Sequence, residues 1–97
     1  MPSYISLINW TEQGAKAFKD TTKRADAAKA AAQRLGGNLR NLYWTIGEYD
    51  IVAIAEFPDD ETATAFMLAL GSEGNVRTET LRAYDPSEIA GIIAKLG

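Results

Sequence analysis

The sequence contains no cysteine and no histidine. The first absence excludes disulfides, thiol catalysis and thiolate metal sites. The second removes the side chain that most often serves as a general base and as a metal ligand. We therefore expect no transition-metal site and no cofactor. Any acid–base chemistry would have to use carboxylates, tyrosine, lysine or the N-terminal amine.

Basic residues are few and are not gathered into one block. The sequence has 10 Lys and Arg against 13 Asp and Glu, for a net charge of −3, so the attraction that dominates nucleic-acid binding is missing. The same balance disfavours an anionic membrane surface, and no apolar stretch approaches the roughly 20 residues that span a bilayer. No charged leader followed by an apolar run opens the sequence. We expect a cytoplasmic protein that binds neither nucleic acid nor membranes.

What the sequence does have is the length and hydrophobic content of one modest domain. Its 97 residues, of which 46% are hydrophobic, predict a single folded domain over residues 1–97. Alternating and helical patterns give the order β-α-β-β-α-β, followed by a last helix. The predicted strands are 4–8, 39–46, 51–57 and 76–84.

This order is the split βαβ order of ferredoxin-like α+β domains, in which helices cover one face of a four-stranded antiparallel sheet. Both faces of the second and third predicted strands are largely apolar or aromatic, so both faces are expected to be covered. Within the chain, only the short last helix could cover the second face of the sheet, so a second copy of the sheet is the simplest cover. The expected partner is the chain itself, as a dimeric α/β barrel, with a higher oligomer left open.

The segment Gly47-Glu48-Tyr49-Asp50 separates the second and third predicted strands. Glycine at the first central position suits a type II′ turn built on Gly47-Glu48. Such a turn pairs Tyr43 with Val52 and Thr45 with Asp50. It also places Tyr49 on the same face as Ile51.

Three segments, in this order, resemble the GYD domain family: Asn9-Trp10-Thr11-Glu12-Gln13-Gly14, Gly47-Glu48-Tyr49-Asp50, and Gly74-Asn75-Val76-Arg77-Thr78 leading to Leu81-Arg82-Ala83. The resemblance extends from Tyr4 to about Leu96, and the family takes its name from a stretch like residues 47–50. It implies a fold similar to dimeric α/β barrel proteins, a group that includes cofactor-independent monooxygenases, isomerases and binding proteins. A shared fold does not by itself imply a reaction.

Residues that could face a ligand each have a structural alternative. The 47–50 segment could be an ordinary turn in which Asp50 satisfies backbone donors. Tyr43 and its neighbour Trp44 point to opposite faces of a strand, so at most one of them lines a given pocket. Trp10 could cover a pocket between the sheet and the first helix, or could fix how the chain enters that helix. The candidate ligand-binding residues are Trp10, Tyr43, Tyr49, Asp50, Glu56, Arg77 and Arg82.

Glu56 gives the most specific of these expectations. It shares a predicted face with Val52 and Ile54, on a strand expected to run between the first and second strands. A covered carboxylate needs a partner. We therefore predict that Glu56 pairs with Arg82 or Arg77 of the fourth strand, within the chain or across a dimer interface. An anion site for a substrate carboxylate is the functional alternative for these arginines.

Two kinds of function remain open, and no catalytic residue is assigned. The first is a homodimeric module that binds a small, partly apolar molecule or serves as a structural part of a larger assembly. The second is a cofactor-independent enzyme, similar to a monooxygenase or an isomerase, that acts on an aromatic or polyketide-like molecule; an empty pocket lined by Tyr and Arg would favour it. A remote third is a tautomerase that uses Pro2 as an N-terminal base after removal of Met1.

Overall fold

The computed structural model describes residues 1–97 and confirms the ferredoxin-like α+β order with an additional C-terminal helix. The first helical region is interrupted by a 3-10 turn at Phe18–Asp20. The strands are β1 (Ser3–Trp10), β2 (Asn38–Trp44), β3 (Ile51–Glu56) and β4 (Val76–Ala83), and the helices are α1 (Glu12–Lys16), α2 (Thr21–Arg34), α3 (Asp60–Ser72) and α4 (Pro86–Ala94).

The four strands form one antiparallel sheet in the order β2-β3-β1-β4. β3 therefore lies between β1 and β2, as the sequence predicts. The predicted pairing of Tyr43 with Val52 is also confirmed. So is the pairing of Thr45 with Asp50, because the Thr45 backbone N–H donates to the Asp50 carbonyl at 2.8 Å.

Local side-chain hydrogen bonds mark where three of the helices begin. The Thr11 hydroxyl accepts from the Gly14 N–H at the start of α1, and an Asp59 carboxylate oxygen accepts from the Thr62 N–H at the start of α3. α4 begins with a complete capping box between Asp85 and Glu88. Each cap satisfies backbone donors that a helix start leaves without partners.

The core lies on one face of the sheet, beneath α2 and α3. Alternate residues of β1 point to this helix side, where Tyr4, Ser6 and Ile8 are buried. Phe57 is fully buried and its ring lies 5.1 Å, centroid to centroid, from that of Phe66 on α3. α2 contributes alanines, of which Ala32 is completely buried. Small side chains let this helix lie close to the sheet.

The opposite face of the sheet has no helix over it. We call it the open face, and the strand register assigns its members. Its centre is apolar, and its side chains are half-buried or exposed although they lie on a sheet. The apolar and aromatic members of the open face are Ile5, Leu7, Tyr43, Val52, Ile54 and Leu81.

Helix α4 stands apart from the two layers and makes only slight contact with the other elements. Its apolar residues Ile89, Ile92 and Ile93 are exposed. The chain is elongated, with extents of 52 × 30 × 18 Å and a radius of gyration of 14.6 Å, against about 12.5 Å for a compact domain of this length. None of the helices combines the length and hydropathy that crossing a membrane requires.

The connection between β2 and β3 differs from the predicted two-residue turn. The strands end at Trp44 and resume at Ile51, so residues 45–50 form a wider loop. Gly47 adopts a φ of 141°, a left-handed value that favours glycine. An irregularity in β2 between Leu39 and Asn41 also shifts the register, as a β-bulge does.

Two of the segments that resemble the family are held against each other. The Thr11 backbone N–H donates to the Asn75 carbonyl at 3.0 Å, and the Thr11 hydroxyl donates to the Gly74 carbonyl at 2.5 Å. The Gln13 amide donates to the Asn75 side chain at 2.8 Å. Gly14 lies so close to the Asn75 backbone that a Cβ at this position would overlap its carbonyl oxygen. The start of α1 is thereby fixed against the turn that precedes β4.

This contact predicts that Gly14→Ala destabilises the fold. A Cβ that meets backbone cannot be accommodated by a side-chain rotation, so we expect the free energy of unfolding to fall by about 1–3 kcal/mol. The control is Gly71→Ala in α3, where a Cβ meets nothing within 4 Å and where alanine should add about 0.5–1 kcal/mol. Urea denaturation of both variants is the measurement. Equal stabilities for Gly14→Ala and the unsubstituted chain would show that the contact is not close.

Candidate functional site

The residues singled out from the sequence do not converge on one point. Trp10 and Asp50 meet where β1 ends, Arg82 lies on the helix side of β4, and the remaining candidates lie on or beside the open face. Tyr43 is 56% exposed there, and Arg77 is exposed opposite Asn9 of β1. These positions lie in three separate environments.

The 47–50 segment connects the ends of several strands. An Asp50 carboxylate oxygen accepts from the Trp10 backbone N–H at 2.9 Å, and the Asp50 N–H donates to the Ile8 carbonyl at 2.9 Å. The Thr45 hydroxyl donates to the Tyr49 carbonyl at 2.5 Å. Asp50 therefore satisfies a backbone donor, which is the structural alternative that the sequence offered for this segment.

Tyr49 lies on the face opposite to the predicted one. Its hydroxyl donates to a Glu79 carboxylate oxygen of β4 at 2.9 Å, and Glu79 pairs with Leu7 on the open face. The hydrogen bond to Glu79 is the main cause that raises the pKa of the Tyr49 phenol. The prediction failed because the wider loop carries Tyr49 beyond the strand, where the alternation of a strand no longer decides its direction.

Within one chain, the prediction that Glu56 pairs with Arg82 or Arg77 is wrong. Its carboxylate lies 3.6 Å from the Arg40 guanidinium of β2. Arg82 lies on the helix side of the sheet, whereas Glu56 lies on the open face. Arg77 shares the open face but pairs with Asn9, and the β1 partner of Glu56 is Ser3. Ser3 and Asn9 are six positions apart along β1, a distance of roughly 20 Å.

Trp10 lies between the sheet and the helices, on the side of the core. It packs against the buried cluster of Ile8, Ile51 and Ala53 and forms part of the wall of a cavity of about 60 Å³. Its indole Nε1 is buried and has no hydrogen-bond partner. The structure thus places Trp10 beside a pocket, while its backbone also fixes the chain where α1 is about to begin.

Arg82 belongs to a cluster of charged and aromatic groups on the helix side. Its guanidinium lies 3.8 Å from an Asp60 carboxylate oxygen and 4.0 Å from one of Glu88. It also lies over the rings of Tyr84 and Tyr4, at 4.3 and 5.7 Å from their centroids. Glu88 belongs to α4, so Arg82 connects the sheet, the start of α3 and the start of α4.

A groove of about 370 Å³ opens beside this cluster. The Tyr4 hydroxyl donates to the Asp60 carboxylate at 2.5 Å. Burial first, and then the hydrogen bond to Asp60, raise the pKa of Tyr4 to about 12. The phenol is therefore protonated at neutral pH and serves as a donor, not as a base. Six polar residues line the groove: Tyr4, Asp60, Thr64, Thr78, Thr80 and Arg82.

The groove offers a cation, a carboxylate and hydroxyl groups to a small polar molecule. No cluster of side chains suited to a metal ion occurs in the chain. Tyr4 and Asp60 are not among the candidates that the sequence suggests, because a tyrosine in a strand and an aspartate near a helix start have ordinary structural roles. The antiparallel register, which pairs Tyr4 directly with Arg82, is the feature that could have indicated that Tyr4 lies beside this arginine.

Comparison with known proteins gives a family, a relative and a fold. The model of the GYD domain family matches residues 4–93. A protein from Thermus thermophilus named "Glutamine synthetase and cystathionine beta-lyase binding protein" is 33% identical over 97 residues, which are 99% of each chain.

Solved structures are similar in fold. TTHA0845, also from Thermus thermophilus, is 28% identical and has a TM-score of 0.55, over 88% of this chain and 95% of that chain. A feast or famine regulatory protein from M. tuberculosis, complexed with L-methionine, has a TM-score of 0.67 at 14% identity. The match covers 88% of this chain and 51% of the regulator, so this chain spans about half of that protein.

The Tyr4–Asp60 contact predicts a late-titrating phenol. Because the pKa of Tyr4 is raised above its ordinary value of 10.0 to about 12, its contribution to stability is complete below pH 10 and is lost between about pH 10 and 12. In absorbance titrations we expect Asp60→Asn to lower this pKa while leaving it above 10, since burial persists. Asp26→Asn, on the exposed side of α2, should leave it unchanged. If Tyr4→Phe shows the same late-ionising phenols as the unsubstituted chain, the contact between Tyr4 and Asp60 is contradicted.

Proposed function

Because the chain belongs to the GYD domain family, we propose that it is a cytoplasmic homodimeric binding protein, a single domain over residues 1–97 that assembles through its open face. The observation that supports this most is the apolar open face, which nothing in the chain covers. A dimer joined through this face is the dimeric α/β barrel that the sequence predicts.

The exposed area of the chain supports the same proposal. Its accessible surface is 6283 Å², whereas a monomer of its mass, 10.5 kDa, is expected to expose roughly 5,400 Å². The excess of roughly 900 Å² is close to the ~800 Å² that each partner buries in an interface of standard size. One interface of ordinary extent would therefore bring the exposed area per chain to the expected value.

Protein partners beyond the second copy are proposed from the Thermus relative. Its name states that it binds glutamine synthetase and cystathionine beta-lyase, and its length is matched almost completely by this chain. We propose that this dimer likewise binds an enzyme. Helix α4 offers a suitable surface, because Ile93 is 59% exposed and Ile89 is 43% exposed on a helix that stands outside the sheet layers. Exposed apolar patches of this kind mark interaction sites.

An enzyme remains the second candidate, and one observation favours it. The groove beside Arg82 is lined by a tyrosine and an arginine, which is the combination that the enzyme hypothesis requires. However, the raised pKa of Tyr4 keeps its proton bound at neutral pH, whereas general acid–base catalysis works best with a pKa near the working pH. The groove is therefore better suited to holding a polar molecule than to moving a proton.

The dimer is tested by placing a charge on the open face. We expect the unsubstituted chain to have twice the 10.5 kDa chain mass in light scattering at micromolar concentration. Ile54→Lys, at the centre of the open face, should give the monomer mass because the interface would bury an unpaired ammonium. The control is Leu68→Lys on α3, where the side chain is 71% exposed and the dimer should persist. A monomeric unsubstituted chain would contradict the proposal.

Enzyme binding is tested with purified glutamine synthetase and cystathionine beta-lyase from the organism that encodes the chain. We expect the dimer to bind at least one of them in surface plasmon resonance. Ile93→Lys on α4 should weaken that binding at least tenfold, while Leu68→Lys should not change it. Failure of both enzymes to bind would reject the partner proposal and leave the dimer untouched, since the two rest on different surfaces.

A further inference from the structure

Strand β4 is one of the two edges of the sheet, because it pairs with β1 alone. All eight of its residues are matched with β1 in an unbroken antiparallel register. Alternate residues of an edge strand direct their backbone N–H and C=O groups away from the sheet, and no other strand or loop of the chain bonds to the backbone of β4 on its outer side. This edge is therefore an unpaired template for a further strand.

The two edges of the sheet differ in how well they are protected against such pairing. The other edge, β2, has an irregular register between Leu39 and Asn41, and a bulge of this kind turns an edge away from new partners. β4 has no such irregularity. It also contains no proline and no lysine, two residues that proteins use to protect an edge. A further strand is therefore better accommodated at β4 than at β2.

The charges of β4 suit a second copy of the same strand. Arg77 and Glu79 are exposed on the open-face side of the strand, and Thr78 lies between them on the helix side. Arg77 makes no ion pair within its own chain. Glu79 accepts from Tyr49 with one carboxylate oxygen, which leaves the other oxygen free. Both charges are thus available to a strand that lies beside β4.

We propose that β4 pairs antiparallel with β4 of a second copy, about a two-fold axis that passes by Thr78, and so joins two sheets edge to edge. In this register Arg77 lies opposite Glu79 of the second copy on both sides of the axis, and opposite charges in opposed cross-strand positions stabilise a sheet. An axis at Glu79 would place the two Glu79 carboxylates opposite each other, which is unfavourable. An axis at Thr80 would leave Arg77 opposite Ala83, without an ion pair.

This contact goes beyond the proposed function, because it lies in the plane of the sheet, whereas the proposed dimer forms through the open face and enzyme binding uses α4. The paired segment, residues 76–80, is short, so the contact buries less than an interface of standard size and is weaker than the dimer. It links one dimer to another at concentrations above the micromolar range.

Single cysteines test the register, because the chain has no cysteine of its own. Under mild oxidation we expect Thr78→Cys to give a covalent product of twice the 10.5 kDa chain mass on a non-reducing gel. Thr80→Cys is the control on the same face of the strand. Its two copies would be about 13 Å apart, beyond the ~6.8 Å between Cα atoms that a disulfide spans. Equal cross-linking of both variants, or none of Thr78→Cys, would overturn the proposal.

A charge exchange tests the pairing of Arg77 with Glu79. In the Thr78→Cys chain, Arg77→Glu opposes carboxylates and Glu79→Arg opposes guanidinium groups, so each change should lower the cross-linked yield at least about tenfold. An equimolar mixture of the two variants restores both ion pairs. We therefore expect cross-linking to return between unlike chains, which mass spectrometry distinguishes. A mixture that cross-links no better than either variant alone would overturn the proposal.

Ile54→Lys separates the edge contact from the open-face dimer. Thr78 lies on the helix side of the sheet, so contact through the open faces alone does not bring its two copies together. The folded Ile54→Lys chain should lose the dimer and keep the cross-linking of Thr78→Cys. Arg77→Glu should leave the dimer mass at micromolar concentration unchanged. Cross-linking that is lost with Ile54→Lys would arise in the open-face dimer and would overturn the edge contact.

Discussion

A sheet has two faces, and this chain supplies helices for only one of them. Helices α2 and α3 cover the side that carries Tyr4 and Phe57, against which Phe66 of α3 packs. The core there is small because α2 contributes mainly alanine. The open face is left with aliphatic side chains that a monomer would expose to water. The projecting helix α4 contributes to the elongated shape, and both it and the open face contribute to the excess surface. A chain of this size buries little surface by itself, so leaving an apolar face exposed to water would lower its stability appreciably.

The segments that identify the family hold the ends of the strands in place. Asp50 accepts from the backbone where β1 ends, and Tyr49 donates to Glu79 of β4, so the loop that joins β2 to β3 also contacts the other two strands. At the same end of the sheet, Thr11 and Gly14 fix α1 against Asn75. These residues are thus explained by the fold. The polar groove beside Arg82 has no such explanation, and it is the better candidate for ligand binding.

Much of the fold could be predicted because it rests on local patterns. The alternation of the second and third strands predicts the pairing of Tyr43 with Val52, and Asp85-Pro86-Ser87-Glu88 contains its own helix start. The errors occur where periodicity is interrupted. The bulge beside Arg40 gives Glu56 a partner on β2 that a regular strand would not indicate. The contact of Tyr4 with Asp60, 56 residues apart, depends on how α3 lies over the sheet, which no local pattern records.

The proposed dimer depends on the open face being the surface between two copies. An isotope-filtered NMR experiment on a mixture of labelled and unlabelled chains detects only contacts between molecules. The account predicts intermolecular nuclear Overhauser effects at the methyl groups of Ile5, Leu7 and Ile54, and none at Leu68 on α3, which lies on the other side of the molecule. Intermolecular contacts confined to α4 or α3, with none at the methyl groups of the open face, would contradict it.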